Sequence, residues 1–481
     1  SLLRLNSKIE LEPSLAQKYK LSKDGKTLTF TLRKGLTFHD GMPLTGKDVK
    51  FTFESLAHPD YQGEFQGYVQ SIKGCEEFTK GAANEISGIV VKDDRTIEIN
   101  FSKPYAPALV NLGTLGILPE HIWKNVPKKD WTENMEVLSK PIGAGPYKLA
   151  NFANGSYVKL VAFDKYYGGK PKTPNFVLKV VNEATVQAEL LQGSVDIADI
   201  SSIKNADAKN LMAKGVQVLH YPNSKVQYMG FNLRDAKLDI NVRTAIAYGI
   251  DRDAIVKSLI EGSGVVIDTP MVPSLWSYPK TGLVHYTFDV AKATEYLKKA
   301  GYSDSDGDGI VEKDGNKLTL TLTVPKGDRI RELTGPIIQA NLKKIGVEIV
   351  LENMDFNATM QKVVGNHEFE LYLMGNTLDA DPDPTAYWYS TQATDEKGKF
   401  GWNIAAFRSK KADELMDKNC EEVNMAKRKA ILQEFGMLLN TELPWVPLYA
   451  ADIVRAYRSA VKGYAPNTFV DFYNVEKWEV K

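Results

Sequence analysis

Two cysteines, Cys75 and Cys420, are all that 481 residues contain, and they lie far apart. A disulfide-stapled scaffold and a cysteine-rich metal site are therefore excluded, although so few cysteines do not identify a compartment. Excess charge of either sign is missing too: Lys+Arg and Asp+Glu are both 60, so nothing favours nucleic acid or an anionic membrane surface as a partner. No apolar run approaches the roughly 20 residues of a membrane span. Low-complexity tracts and clear internal repeats are absent. The six histidines (His39, His58, His121, His220, His285, His367) are scattered without ligand spacing. There is no G-x-S-x-G, no H-E-x-x-H and no phosphate-cradling G-x-x-x-x-G-K-[ST], which leaves little support for an enzyme. A hydrolase with a pair of carboxylates stays a distant alternative, because acids are plentiful.

The pattern that is present is α/β. Lys23-Asp24-Gly25-Lys26 reads as a turn, and Thr27 to Leu32 alternates as a strand with Leu28, Phe30 and Leu32 on one face. Thr45 is placed to cap a helix, with Asp48 completing the box. Phe176–Val181, a helix over Glu183–Gln192 and Val195–Ile197 read as strand–helix–strand, so parallel pairing is expected there. Leu318–Val324, a helix over Arg329–Ile345 ended by Gly346, and Val347–Leu351 make a second such unit. Asp289 caps a helix through Ala300, with Gly301 beyond its end. At this length two or three domains are expected, and the two units suggest two α/β lobes.

Several longer strings occur in a shared order. They are Leu21–Phe51 (LSKDGKTLTFTLRKGLTFHDGMPLTGKDVKF), PIGAGPY from Pro141, FDKYYGGKPK from Phe163, LLQGSVDIA from Leu190, FNLRDAKLDINVRTAIAYGIDRDAIV from Phe231 and DADPDPTAYWYSTQ from Asp379. Together they resemble family 5 extracellular solute-binding proteins, the oligopeptide-, dipeptide- and nickel-binding receptors of ABC importers. The resemblance runs almost from end to end and is nearest to oligopeptide-binding members.

The resemblance implies a type II periplasmic-binding-protein fold, two α/β lobes joined by a two-crossing hinge plus an inserted subdomain. It places that subdomain at 1–172, the first lobe's core at 173–223, the second lobe at 224–452 and the return to the first lobe at 453–481. It implies a non-enzymatic receptor that closes on a short peptide in an interlobe cleft and docks on ABC permease subunits. A nickel complex, a glycan or an opine is the alternative ligand. The opening Ser1-Leu2-Leu3-Arg4-Leu5 resembles a strand that follows several tens of residues in the family. A preceding signal segment with a lipid-anchoring cysteine is thus expected, and with it a monomer at the periplasmic or outer face of the cytoplasmic membrane.

For the ligand, the resemblance assigns the peptide's α-ammonium to Asp381, within D-A-D-P-D-P. A carboxylate suits this because it accepts charge-assisted hydrogen bonds, whereas residue type alone reads as a solvated acidic loop. Gly375, Asn376 and Thr377 lead into that loop. The family often has Trp at the Asn376 position and some members have Arg at Leu373 or Met374, so ligand length stays open. Ser224, Val226 and Tyr228 belong to a strand whose edge an extended peptide could pair with. Trp388, Trp402 and Asn403 follow the loop, and an aromatic cluster of this kind is more often core than pocket. Tyr68 is either a closing ring or a surface tyrosine.

Asp304-Ser305-Asp306-Gly307-Asp308-Gly309-Ile310 matches the first positions of a calcium loop, with the Ile310 carbonyl as a further ligand. Gly315 stands where the closing Glu belongs, so Glu312 or Asp314 is the substitute. The expectation is a structural calcium ion, against an ordinary acidic turn.

Overall fold

Alternation at Thr27–Leu32 produces the strand expected of it: Leu28, Phe30 and Leu32 are each fully buried. A computed structural model describes the chain apart from Gln62, Glu183 and the side chain of Glu64. Thr27–Leu32 lies in a four-stranded antiparallel sheet in the order Ala16–Leu21, Thr27–Leu32, Thr96–Asn100, Ile89–Asp93. The helix Gly46–Ala57 packs on it through Val49 and Phe53. Its capping box is formed, with Thr45 N–H donating to Asp48 Oδ2 at 2.8 Å and Lys47 N–H to Thr45 Oγ1 at 3.3 Å.

The chain divides into two units. The first comprises Ser1–Leu219, Cys420–Val423 and Val454–Lys481, and the second His220–Asn419 and Asn424–Ile453. The sequence reading set the main cuts at 223/224 and 452/453 and had no counterpart for the excursion Cys420–Val423. Ala106 N–H to the Cys420 carbonyl (2.7 Å) and Lys103 to Glu421 (3.1 Å) hold that excursion in the first unit.

Among the described residues, the first unit's buried clusters include these two. One gathers Leu2, Phe30, Phe38, Phe53, Ile97 and Leu112, and the other Val186, Leu190, Leu211, Val216 and Ala456. Here one expectation is corrected. Asn175–Lys179 pairs antiparallel with Tyr157–Ala162 in a three-stranded sheet completed by Tyr147–Ala153. Ile197–Asp199 pairs elsewhere, antiparallel with Tyr457-Ala456-Arg455. The helix between them is Val186–Gln192, and the expected start at Glu183 lies outside the described residues. Parallel pairing fails because the two strands belong to different sheets.

The second unit carries a mixed sheet. Lys225–Phe231 lies between residues 445–449 and Leu371–Thr377, antiparallel to both. Thr319–Pro325 is parallel to Leu371–Thr377 and to Glu348–Met354. The second strand–helix–strand unit is therefore as read, with the helix Arg329–Lys343 between its parallel strands and Gly346 at φ +78° behind it. The Asp289 cap is also formed, accepting from Lys292 N–H at 2.9 Å. Phe231, Val242, Ile246, Leu320, Leu322 and Leu342 fill the core against one sheet face. Among the described residues no helix is long and apolar enough to cross a membrane.

The sheet's other face is aromatic. Tyr228 stacks on Trp445 with ring centroids 3.5 Å apart, and Tyr372 meets Tyr228 edge-on at 5.8 Å. Gly230 makes room for this, since a Cβ there would sit 2.2 Å from the Tyr372 ring. Only a residue without a side chain lets that ring lie across the strand.

Candidate functional site

Past Thr377 the sheet ends and the chain enters Leu378–Pro384, where Pro382 and Pro384 remove two backbone donors and forbid helix. Freed from regular structure, the segment turns back on the second unit. It lines a recess of about 40 Å³, with room for a few waters or an ammonium head. Asn376, Thr377, Asp379, Asp381 and Asp383 form its polar side; Met271, Leu275, Tyr387, Trp388, Phe435 and Leu439 form its apolar side. Three carboxylates stand in that lining, and no lysine or arginine does.

Asp381 is the fixed point. It is 6 % exposed, and its oxygens meet Arg428 in a fork, Nη1 to Oδ2 at 2.5 Å and Nη2 to Oδ1 at 2.6 Å. Arg428 is in turn oriented by Asn419, donating from Nε to its Oδ1 at 2.9 Å and its carbonyl at 3.2 Å. Asp383 accepts from Thr385 Oγ1 (2.7 Å) and Asn419 Nδ2 (3.2 Å). Burial pushes the Asp383 carboxyl above the usual carboxylate range, and the charge of Asp381 adds to the rise. The site thus holds one carboxylate oriented by a guanidinium fork beside a carboxyl that burial makes harder to ionise.

Sequence reasoning missed Arg428, although a signal existed. In the helix Met425–Glu442 the buried positions include Arg428, Leu432, Phe435, Gly436 and Leu439, one helical stripe. An arginine on an apolar stripe is buried and needs an acidic partner.

Residues 10–399 match the family described as bacterial extracellular solute-binding proteins, family 5. The chain belongs to this family. The oligopeptide-binding protein AppA of Bacillus subtilis is 30% identical over 484 residues, covering 99% of this chain and 85% of that protein. The structure of B. subtilis AppA in complex with a nonapeptide aligns at TM-score 0.84 with 28% identity, over 100% of this chain and 92% of the other. NikZ of Campylobacter jejuni in complex with Ni(L-His) aligns at TM-score 0.84 with 26% identity, over 99% and 93%.

In this family 5 protein the remaining expected ligand residues separate into groups. The ladder joining Lys225–Phe231 to Leu371–Thr377 sets Val226 opposite Asn376 and Gln227 opposite Gly375, while the Ser224 carbonyl accepts from Leu378 N–H at 3.0 Å. These residues are adjacent to the recess, and Asn376 and Thr377 line it. Three expectations need correction. The strand Lys225–Phe231 is internal, so over most of its length its backbone groups are committed and no edge is offered to a peptide. Tyr228 is 3 % exposed in the aromatic layer, because alternation sends it to the face occupied by Trp445. Asn403 is 1 % exposed and satisfied by backbone, donating to the Phe407 carbonyl (2.7 Å) and accepting from Phe407 N–H (2.9 Å). Its amide is used to tie a loop. Trp402 is exposed and lies 6.3 Å from Tyr387, a recess residue. Trp388 is buried against Trp445 at 4.3 Å. Tyr68 belongs to the first unit, where it packs on Phe65 at 5.4 Å.

The acidic turn of the second unit is a separate arrangement. One carboxylate oxygen each from Asp304, Asp306 and Glu312 lies within 4.8 Å of the others. Asp308 is not in this group, because Lys317 takes its Oδ2 while its Oδ1 accepts from Ile310 N–H at 2.9 Å. That corrects the expected ligand set at Asp308.

Proposed function

We propose that this chain is the extracytoplasmic receptor of an ABC importer, capturing short peptides and delivering them to membrane permease subunits. The observation that carries this reading is the acidic recess around Asp381. A carboxylate offers about four acceptor sites, and Arg428 occupies two of them. The others suit a primary ammonium, and the fork holds the carboxylate in one orientation before the ligand arrives, which lowers the ordering cost of binding. The binding partner named for AppA, a peptide, supports the same reading. Attachment at the outer face of the cytoplasmic membrane through an N-terminal lipid anchor belongs to the same proposal, as does a monomeric state.

NikZ makes a nickel–histidine complex the second reading. Calorimetry with the purified protein separates the two. Free-amine peptides of a few residues should bind saturably and without cleavage. Their N-acetylated forms should lose about 1.5–3 kcal/mol, the contribution of hydrogen bonds to a charged group, because an amide cannot give the carboxylate the charge-assisted bonds of an ammonium. Equal affinity for both forms would refute the ammonium assignment. Tight binding of Ni(L-His) with no peptide binding would overturn the peptide reading, and peptide hydrolysis would overturn the receptor.

A further inference from the structure

The helix Val290–Lys299 stops at Gly301 (φ +88°), and the chain then coils tightly on itself before the short hairpin Glu312–Lys313/Asn316–Lys317. The coil is set by carboxylates. Asp304 accepts from Gly307 N–H at 2.8 Å and Gly309 N–H at 3.0 Å, and Asp306 from Asp308 N–H at 3.1 Å. Gly307 and Gly309 both have left-handed φ, +79° and +90°, which side chains rarely adopt. The result is the convergence of Asp304, Asp306 and Glu312.

Convergence of acids alone would mean little on a solvated surface. Glu312 changes the argument, because it is only 9 % exposed. Its Oε1 accepts from Ser305 N–H at 2.6 Å, while its Oε2 is buried and has no hydrogen-bond partner. A buried, unmatched oxygen of an acidic group is costly and rare in a native fold. Here it belongs to a carboxylate that reaches the same point as two aspartates.

We propose that Asp304, Asp306 and Glu312 bind a divalent cation, and that the ion is calcium. The donors are all hard oxygens, which suits calcium or magnesium rather than zinc or copper. Oxygens up to 4.8 Å apart surround a cation at the 2.3–2.6 Å typical of calcium more readily than at the 2.0–2.1 Å of magnesium's strict octahedron. Lys317 Nζ stands 3.6 Å from Asp306 Oδ2 and competes with the ion for that carboxylate. The turn is anchored to the second unit's core through Tyr302 and Val311, so an ion bound there stabilises that unit by mass action. This inference is independent of the ligand recess and of what binds there.

The test uses the whole chain, stripped with a chelator and dialysed, in calorimetry and thermal melts with calcium chloride or magnesium chloride. Calcium should bind at one site and raise the melting temperature, with magnesium weaker by about tenfold or more given its stricter geometry. Glu312→Gln keeps the acceptor for Ser305 and removes charge; Asp306→Ala removes an exposed carboxylate and one turn hydrogen bond, and circular dichroism of the metal-free variant checks that it folds. Each should weaken calcium by about tenfold or more, because affinity follows the ligands' charge count. Lys317→Gln should tighten it. No saturable calcium heat and an unchanged melt would overturn the proposal. So would calcium binding that survives both ligand substitutions, and magnesium binding as tightly as calcium would overturn the choice of ion.

Discussion

Replacing Arg428 by methionine removes the guanidinium while keeping much of the stem that packs in the helix stripe. Both partners of the fork are nearly inaccessible, with side chains 2% and 4% exposed. Arg428→Met therefore leaves the Asp381 carboxylate buried and unpaired, and breaking such a pair costs about 3–5 kcal/mol. In a unit of this size each kcal/mol moves the melting temperature by roughly 2–4 °C, so the drop should be about 6–20 °C. The double variant Asp381→Leu/Arg428→Met removes both charges. It should recover at least about 2 kcal/mol of the loss, because the cost lies in the uncompensated charge rather than in the pair's net contribution. The remainder reflects Asn419, whose carbonyl and Oδ1 lose the Nε donor. Urea denaturation of the four proteins in the cycle, followed by intrinsic fluorescence, measures this directly. Additive losses in the double variant, or an Arg428→Met cost under about 1 kcal/mol, would refute the reasoning.

Two further outcomes follow from neighbouring geometry. Gly230→Ala places a Cβ 2.2 Å from the fully buried Tyr372 ring and should cost about 1–3 kcal/mol by overpacking; an additional Tyr372→Leu should return part of that in urea melts, and a single variant as stable as the wild type would refute the steric account. Asp383 has a raised folded pKa, so its contribution to stability is present when it is protonated at low pH and fades as pH rises from about 4, the unfolded value, through the raised one. Asp383→Asn cannot ionise, so melting temperatures across that window should favour the variant increasingly as pH rises, and parallel curves would contradict the shift.

What could be read from the sequence was what is encoded locally. The capping box at Thr45 and Asp48, the Asp289 cap and the strand Thr27–Leu32 each depend on residues within a few positions. The parallel pair Thr319–Pro325 and Glu348–Met354 was legible because a long amphipathic helix between two apolar strands has few alternatives. Asn175–Lys179 and Ile197–Asp199 looked similar, but short strands do not state their partners, and one of these is exposed along much of its length. The partner of Ile197–Asp199 lies more than 250 residues away, at Arg455–Tyr457. Tyr228 and Asn403 were misjudged for a related reason: residue type shows that a side chain can bind a ligand, and only packing shows that its capacity is already used.

The same distinction explains why Asp381 could be found and its environment could not. The D-A-D-P-D-P segment announces an irregular acidic loop, but 47 positions separate Asp381 from Arg428. Stability does not explain that pairing, since well-packed apolar residues in place of a buried ion pair are often as stable or more so. What the fork supplies is orientation. A carboxylate held at both oxygens by a planar donor, itself held by Asn419, cannot rotate to follow a ligand. On the proposed function it would therefore discriminate by geometry as well as by charge. Asp383 is harder to ionise than an ordinary carboxyl, because burial and the charge of Asp381 raise its pKa. On the proposed function, one rigid carboxylate and one protonatable carboxyl in a recess too small for a whole residue would accept a small cationic head and leave the rest of the ligand unread.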